Sequence, residues 1–460
     1  GVVITQSGGS SFSGALAVTT VTLTDTADAA SVTFNGNATI TTLNTAGQAY
    51  NVIFNGASNT ITNAVTFSNT GFVTLGNGSS DSITFTAGVT ATAPSSVNVA
   101  GSVKASNTAT ITLGDSGTGI SVTASATIGD TSTGNITLGG DATLADGVTL
   151  TLGRTGTTNT ISTQDIVGTA SGSVSNLTIS TNSTTTINGN IGTDFGAIDL
   201  KGTATTFIGT VTSNGVHLRT TATFKNNLTI SDDTYHIKLY DNATMVVATA
   251  SSAAAITINA RVQAENANGG SELQITNTGA NTFSGSKIKN VHTINVDQDT
   301  LFNTEITSDV AIIDVAASKT ADFRKDVAAT NINAHNNATL IFSQTDVHTV
   351  SSAINNSDSG TVTVNVVNSA NSEAPSAVTF SSATFAPSTL NIGSSTYGGH
   401  AIFTHSDGLD VATINVVGGN HSSEDSTLQV NYNVTASSGL NLNDNTGDAI
   451  IIFAEDNNIT

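Results

Sequence analysis

Ala109-Thr-Ile-Thr-Leu113, Ser125-Ala-Thr-Ile128, Asp141-Ala-Thr-Leu144 and Val148-Thr-Leu-Thr-Leu152 follow one another inside a short length of chain. In each run a polar residue, mostly Thr, alternates with Ala or a large aliphatic. A period of two belongs to a β-strand, where successive side chains point to opposite faces, and β-branched residues suit that pleated, half-buried surface. The runs are short. Three of them stop at a glycine, Gly114, Gly129 and Gly153, a residue that enters the left-handed backbone of tight turns without steric cost.

Outward from this stretch the pattern continues in both directions. Val21-Thr-Leu-Thr24, Ser31-Val-Thr-Phe34, Ile256-Thr-Ile258 and Val362-Thr-Val-Asn-Val366 alternate in the same way. Asn35-Gly36, Asn55-Gly56, Asn77-Gly78 and Asn188-Gly189 supply turn dipeptides. No stretch carries a convincing helical period.

The polar-Ala-Thr-apolar unit is also a degenerate repeat. It recurs at Asn37-Ala-Thr-Ile40, Thr108-Ala-Thr-Ile111, Ser125-Ala-Thr-Ile128, Asp141-Ala-Thr-Leu144, Thr221-Ala-Thr-Phe224, Asn242-Ala-Thr-Met245, Asn337-Ala-Thr-Leu340 and Ser382-Ala-Thr-Phe385. A second family, Thr-Ile-Asn or a near variant, centres on Ile187, Ile258, Ile294, Ile332 and Ile414. The spacings point to a period near 19, which is too short for a sandwich domain and suits one coil of a stacked parallel β-helix. The expected fold is therefore all-β, an elongated parallel β-helix (β-solenoid) with coils of about 19 residues. Within the unit, Ala and the large apolar residue share parity and are expected to point inward. Tandem immunoglobulin-like sandwiches would instead show a period of about 100 residues and aromatic anchors such as a buried Trp; this chain has no Trp.

Composition narrows the functional classes. Of 460 residues only 10% are charged, against roughly 25% in ordinary soluble domains. An apolar fraction of 37%, regularly spaced, opposes disorder. There is no Cys, hence neither a disulfide framework nor a thiolate metal site. A net charge of −21 repels phosphate backbones, so no nucleic-acid partner is expected. No apolar run approaches the roughly 18 residues of a membrane span; Ala449-Ile-Ile-Ile-Phe453 reads as a single strand. No start Met or charged-then-apolar leader is present, which reads as a mature segment whose export signal has been removed or lies elsewhere.

Charge is unevenly spread: residues 1–200 carry 10 acids and 2 bases, 201–325 carry 11 and 10, and 326–460 carry 12 acids and no Lys or Arg. This divides the chain into a regular Thr/Gly/Asn-rich solenoid, 1–200, and a less regular continuation with His and acidic residues, 201–460.

Catalysis on a β-helix gathers carboxylates, often with Arg or Lys, on neighbouring coils. Here Arg154, Arg219, Arg261 and Arg324 stand in dissimilar contexts, and the acidic pairs Asp232-Asp233 and Asp297-Gln-Asp299 have no basic motif beside them. They read as solvated turns, and no catalytic centre is expected. His400 and His405 are near enough in sequence to share a face but lack a third ligand. No cofactor is expected. The best calcium candidate is Asp444 with Asp448, in Leu442-Asn-Asp-Asn-Thr-Gly-Asp448. Thr-x-Thr steps such as Thr110-Ile-Thr112 would suit an ice-binding ladder only if they recurred in every coil.

Taken together, the Asn-Ala-Thr and Thr-Ile-Asn units, the Gly/Asn turns and the absence of Cys and Trp resemble the β-strand-repeat surface proteins of Gram-negative bacteria, with rickettsial-type outer-membrane antigens and autotransporter passengers the nearest comparison. The resemblance is compositional and periodic. It implies export to the bacterial cell surface, a β-helical rod, and a role in adhesion to host or matrix surfaces or in a surface coat; no functional residue carries over. Because solenoid ends expose unpaired backbone groups, the strand-like ends of the chain, Val2, Val3 and Ile4 at one side and Ile450, Ile451 and Ile452 at the other, are expected to pair with further copies of the chain. The expected role is a non-enzymatic, self-assembling subunit of an extracellular fibre or coat. An adhesin rod is the alternative, and a polysaccharide-acting β-helix or an ice-binding solenoid stands behind both.

Overall fold

A computed structural model describes residues 1–182, 184–192, 194–230, 234–250, 252–344, 348–368 and 376–453. The described residues form strands and turns with no helix, and every ladder between named strands is parallel, as expected of a β-solenoid. Contacts divide the chain into two units, Gly1–Tyr235 and His236–Thr460.

A coil of the first unit shows how the alternation is used. Strand Val73–Leu75 lies on one face, which we call A; Ser82–Phe85 lies on face B and Val89–Ala91 on face C. Each pairs in register with the next coil: Val73 with Val97, Ile83 with Val103, Val89 with Ile111. The next turn of the chain is thus the hydrogen-bonding partner of the previous one, so backbone N–H and C=O groups are satisfied coil to coil. On each of these short strands, the residues of one parity point inward. Val73, Leu75, Ile83, Phe85, Val89 and Ala91 are all buried, while Thr74, Thr84 and Thr90 between them face outward.

Turns between the strands use the residues that tolerate positive φ. Asn107, Asn242, Asn290 and Asn337 have φ between 50° and 61°.

The coils average about 23 residues, longer than the expected period near 19. In the first unit the step varies, from a short coil in which Ala204 pairs with Thr221 to a long one in which Thr149 pairs with Asn176. The reason for the underestimate lies in where the Ala-Thr unit falls. Ala38-Thr-Ile40 and Ala126-Thr-Ile128 are on face B, Ala142-Thr-Leu144 is on face A, and Ala222-Thr-Phe224 is on face C. The spacings from Ala109, which leads into the face C strand at Ile111, to Ala126, and from Ala126 to Ala142, therefore connect different faces and measure part of a coil. The expected parity holds at Ala38, Ala126, Ala142 and Ala222, each buried together with its large apolar partner. It fails at Ala383, which is exposed although Phe385 is buried.

In the second unit the coils change width along the chain. Thr293–Val296, Thr300–Phe302 and Glu305–Ile306 make a narrow coil, closed where Thr293 pairs with Ile312. Beyond Leu340 the coils widen: Thr363 pairs with Thr389, and His400 with Thr427. Among the described residues, the added lengths 393–399 and 418–425 follow the face A strands Thr389–Ile392 and Thr413–Val417. A phenylalanine column fills the narrow part, Phe283, Phe302, Phe323 and Phe342 stacking ring on ring at 5.3 to 5.4 Å.

Candidate functional site

Three parts of the surface bear on function: the terminal strands, the titratable clusters, and face A of the second unit.

Val2–Ile4 pairs with Val21–Leu23. Because Val21 and Leu23 point inward, so do Val2 and Ile4, whereas Val3 points outward and is 67% exposed. Phe12, Leu16 and Val18 are only half-buried, yet the residues stacked on them one coil later, Phe34, Ala38 and Ile40, are fully buried. One covering coil is not enough to bury an inward side chain. In the second unit Ala449–Phe453 pairs with Ser426–Val430, matching Ile451 to the buried Leu428. Ile451 thus faces inward and Ile450 and Ile452 outward. Leu442, also in this coil, is half-exposed.

Asp444 and Asp448 serve the turn that precedes Ala449. Asp444 Oδ1 accepts the Ala449 N–H at 2.8 Å, and Asp448 takes part through its backbone, its N–H donating to Asp425 Oδ1 at 2.9 Å. Among the described residues no group of three or more His, Asp or Glu is placed to hold a metal ion. Asp232-Asp233 lies outside the described residues. Asp299 Oδ1 accepts the Thr320 N–H at 2.8 Å, as a turn residue does.

The arginines are engaged locally. Arg154 reaches Asp130 at 3.6 Å, Arg219 reaches Asp199 at 3.1 Å, Arg324 reaches Asp322 at 3.2 Å, and Arg261 bonds Gln263. His400 and His405 do not share a side: in this extended segment they have opposite parity. His400 is half-buried, facing out, and His405 is buried against Phe403 with ring centroids 6.2 Å apart. Burial pushes the His405 imidazole below its usual range. His335 is different: Nδ1 lies 2.9 Å from Asp358 Oδ2 and Nε2 lies 3.2 Å from Asp314 Oδ1, on successive coils. These carboxylates hold the imidazolium, Asp358 foremost, and raise the His335 pKa.

Face A of the second unit carries an amide column, of which Asn415 alone falls within the Thr-Ile-Asn repeats, in the unit centred on Ile414. Asn391 Nδ2 donates to Asn365 Oδ1 at 2.8 Å, Asn415 to Asn391 at 2.7 Å and Asn441 to Asn415 at 2.7 Å. Each of these residues is flanked by two large aliphatics, as in Val364-Asn-Val366, Leu390-Asn-Ile392, Ile414-Asn-Val416 and Leu440-Asn-Leu442. That triplet, recurring about once per coil, was the available signal.

Compared with protein-family models, with curated proteins and with solved structures, the chain gives no match.

Proposed function

We propose that this chain is a non-enzymatic structural protein of the bacterial cell exterior, a subunit that assembles with copies of itself into a fibre or coat. The observation that carries the reading is the coil-to-coil contact itself, in which Phe34, Ala38 and Ile40 of one coil cover Phe12, Leu16 and Val18 of the coil before while the backbones pair in register. Repeating such a contact against a second copy would gain roughly 25 cal/mol per Å² of apolar area, and the paired coils would gain backbone hydrogen bonds by strand addition. Each arginine is engaged by a neighbouring side chain, which supports a structural rather than a catalytic role. The resemblance of the Thr-, Asn- and Gly-rich repeat units to exported β-strand-repeat surface proteins supports an extracellular setting.

The test is assembly of the purified full chain, followed by electron microscopy and sedimentation. Deleting residues 1–10 is expected to abolish assembly while β-sheet circular dichroism persists. Unchanged assembly in the deletion, or a full chain that stays monomeric at high concentration, would refute the reading. A second reading, an adhesive rod that binds host or matrix surfaces, draws on the amide column of the second unit.

A further inference from the structure

We propose that face A of the second unit is a binding groove for an extended, uncharged polysaccharide. The residues facing outward along this face fall into one column, which runs from Thr282 through Leu301, Asp322 and Ile341 to Asn365 and continues along the amides to Asn441, each paired in register with the next. Two troughs follow the column, of about 390 Å³ and 450 Å³, and they meet at Ile341. Eight rungs at roughly 4.8 Å each give a track about 34 Å long parallel to the coil stack. A linear ligand fits that shape better than a compact one.

The chemistry of the upper trough selects the ligand. Its centre is the amide column. Val367 and Val417 stand beside it as an apolar floor, and in the coil between them the corresponding position is Gly393, which contributes no side chain. Gly393 has a φ of 74°, and a Cβ there would meet Ser426 Oγ and the Val417 carbonyl, so the gap is fixed by the backbone. Each amide has two N–H donors and two acceptor lone pairs. The column bonds use one N–H of Asn391, Asn415 and Asn441, and one lone pair of Asn365, Asn391 and Asn415. Asn391 and Asn415, at the centre, therefore each present one remaining donor and one remaining acceptor to the trough. A hydroxyl, which donates and accepts, complements such a pair, and sugar C–H faces complement the valines.

The lower trough adds Asp299 and Asp322, with Asp322 already bonded to Arg324 and Ser343. Carboxylates accept hydrogen bonds from hydroxyls, Arg324 already neutralises Asp322, and residues 326–460, which supply nearly all of the upper trough, carry no Lys or Arg to hold an anionic polymer. A polypeptide advances roughly 3.3 Å per residue when extended, out of step with the rungs, whereas an extended β-linked hexose chain advances by nearly one rung per sugar. The groove is independent of whether copies assemble, because it lies on a lateral face.

Isothermal titration of the full chain with cellohexaose, mannohexaose and xylohexaose tests this, with a galacturonate hexamer and a (Gly-Ser)6 peptide as competitors. At least one neutral hexaose is expected to bind, and the double variant Asn391→Leu/Asn415→Leu to weaken it at least tenfold. A second double variant, Val367→Gln/Val417→Gln, keeps the amide column and fills the floor, and is expected to weaken binding comparably. Thr137→Ala/Thr186→Ala, on the first unit, should bind as the parent does, and circular dichroism of each variant checks the fold. Absence of binding to all three neutral hexaoses, parent-like affinity in both groove variants, or tighter binding of the galacturonate or the peptide would each overturn the proposal.

Discussion

Phe34 stacks on Phe54 with ring centroids 4.7 Å apart and planes inclined by 10°, and neither ring is exposed to solvent. The two belong to successive coils, joined by the pairing of Ser31–Phe34 with Asn51–Phe54. Register between coils is thus fixed twice, by backbone hydrogen bonds and by the rings. Removing Phe34 by substitution with Ala leaves a cavity between Phe12 and Phe54 and is expected to cost about 3 to 5 kcal/mol. A cycle of Phe34→Ala, Phe54→Ala and the double variant, read by chemical denaturation, should return a coupling of about 0.5 to 1.5 kcal/mol. Additive single effects would show that stacking contributes nothing beyond burial.

Asn59 occupies an inward position on face B and is 1% exposed. Its Oδ1 accepts the Ala38 N–H at 3.0 Å and its Nδ2 donates to the Gly56 carbonyl at 2.6 Å, tying the turn before its own strand to the coil below. In Asn59→Leu both backbone groups lose their partner inside the protein, at a cost of about 1 to 3 kcal/mol. The check is the midpoint of urea unfolding. A variant as stable as the parent would mean that the added apolar burial offsets the two lost bonds.

Alternation made the strands legible. In Ser82-Ile-Thr-Phe85 and Thr149-Leu-Thr-Leu152 the inward and outward residues can be read directly from the letters. Asn59 could not be read this way, because Ser58-Asn-Thr-Ile61 presents a polar residue where the pattern demands an apolar one; only the coil below explains it. Coil length was obscured for a related reason. The Ala-Thr unit satisfies any inward-outward-inward triplet, so Ala126 on face B and Ala142 on face A look like consecutive copies of a single site. The amide column was visible as aliphatic-Asn-aliphatic triplets, but its meaning depends on Asn365, Asn391, Asn415 and Asn441 falling in one register, which requires knowing the widths of the intervening loops.

Gly101 sits where the pairing of Ser96–Ala105 with Gly119–Ile128 shifts register, between face A and face B. Its φ is 70°, and a Cβ would overlap the Asp81 carbonyl oxygen, the atom that accepts the Ser102 N–H at 2.7 Å. Gly101→Ala therefore combines a strained backbone with a clash against an atom in use, and is expected to destabilise the protein by more than about 1 kcal/mol. Hydrogen exchange of the Ser102 amide reads the local effect. Protection equal to that of the parent would show that the bulge relaxes without losing the bond.

Acid should weaken the second unit through His348. The ring faces inward from strand His348–Val350, is 4% exposed, lies 6.5 Å from the Phe342 ring, and has no hydrogen-bond partner for either nitrogen among the described residues. Burial pushes its pKa down to about 4, with Lys325 acting in the same direction and Asp326 and Asp322 opposing. The folded protein thus keeps His348 neutral while the unfolded chain protonates near pH 6.5. Between those values the unfolded state binds more protons, so stability falls as pH drops from about 6.5 to about 4 and then levels off, a loss of about 3 kcal/mol at most. His335 works in the opposite sense. Its pKa is raised by Asp358 and Asp314, so its contribution is fully present below about 6.5 and disappears as pH rises through the raised value. In His348→Leu the fall in unfolding midpoint between about pH 6.5 and about pH 4 should shrink. In His335→Gln that acid-side fall should persist, while the gain in stability as pH descends through the raised value toward about 6.5 should vanish. Parallel pH profiles for His348→Leu and the parent would show that the acid sensitivity arises elsewhere.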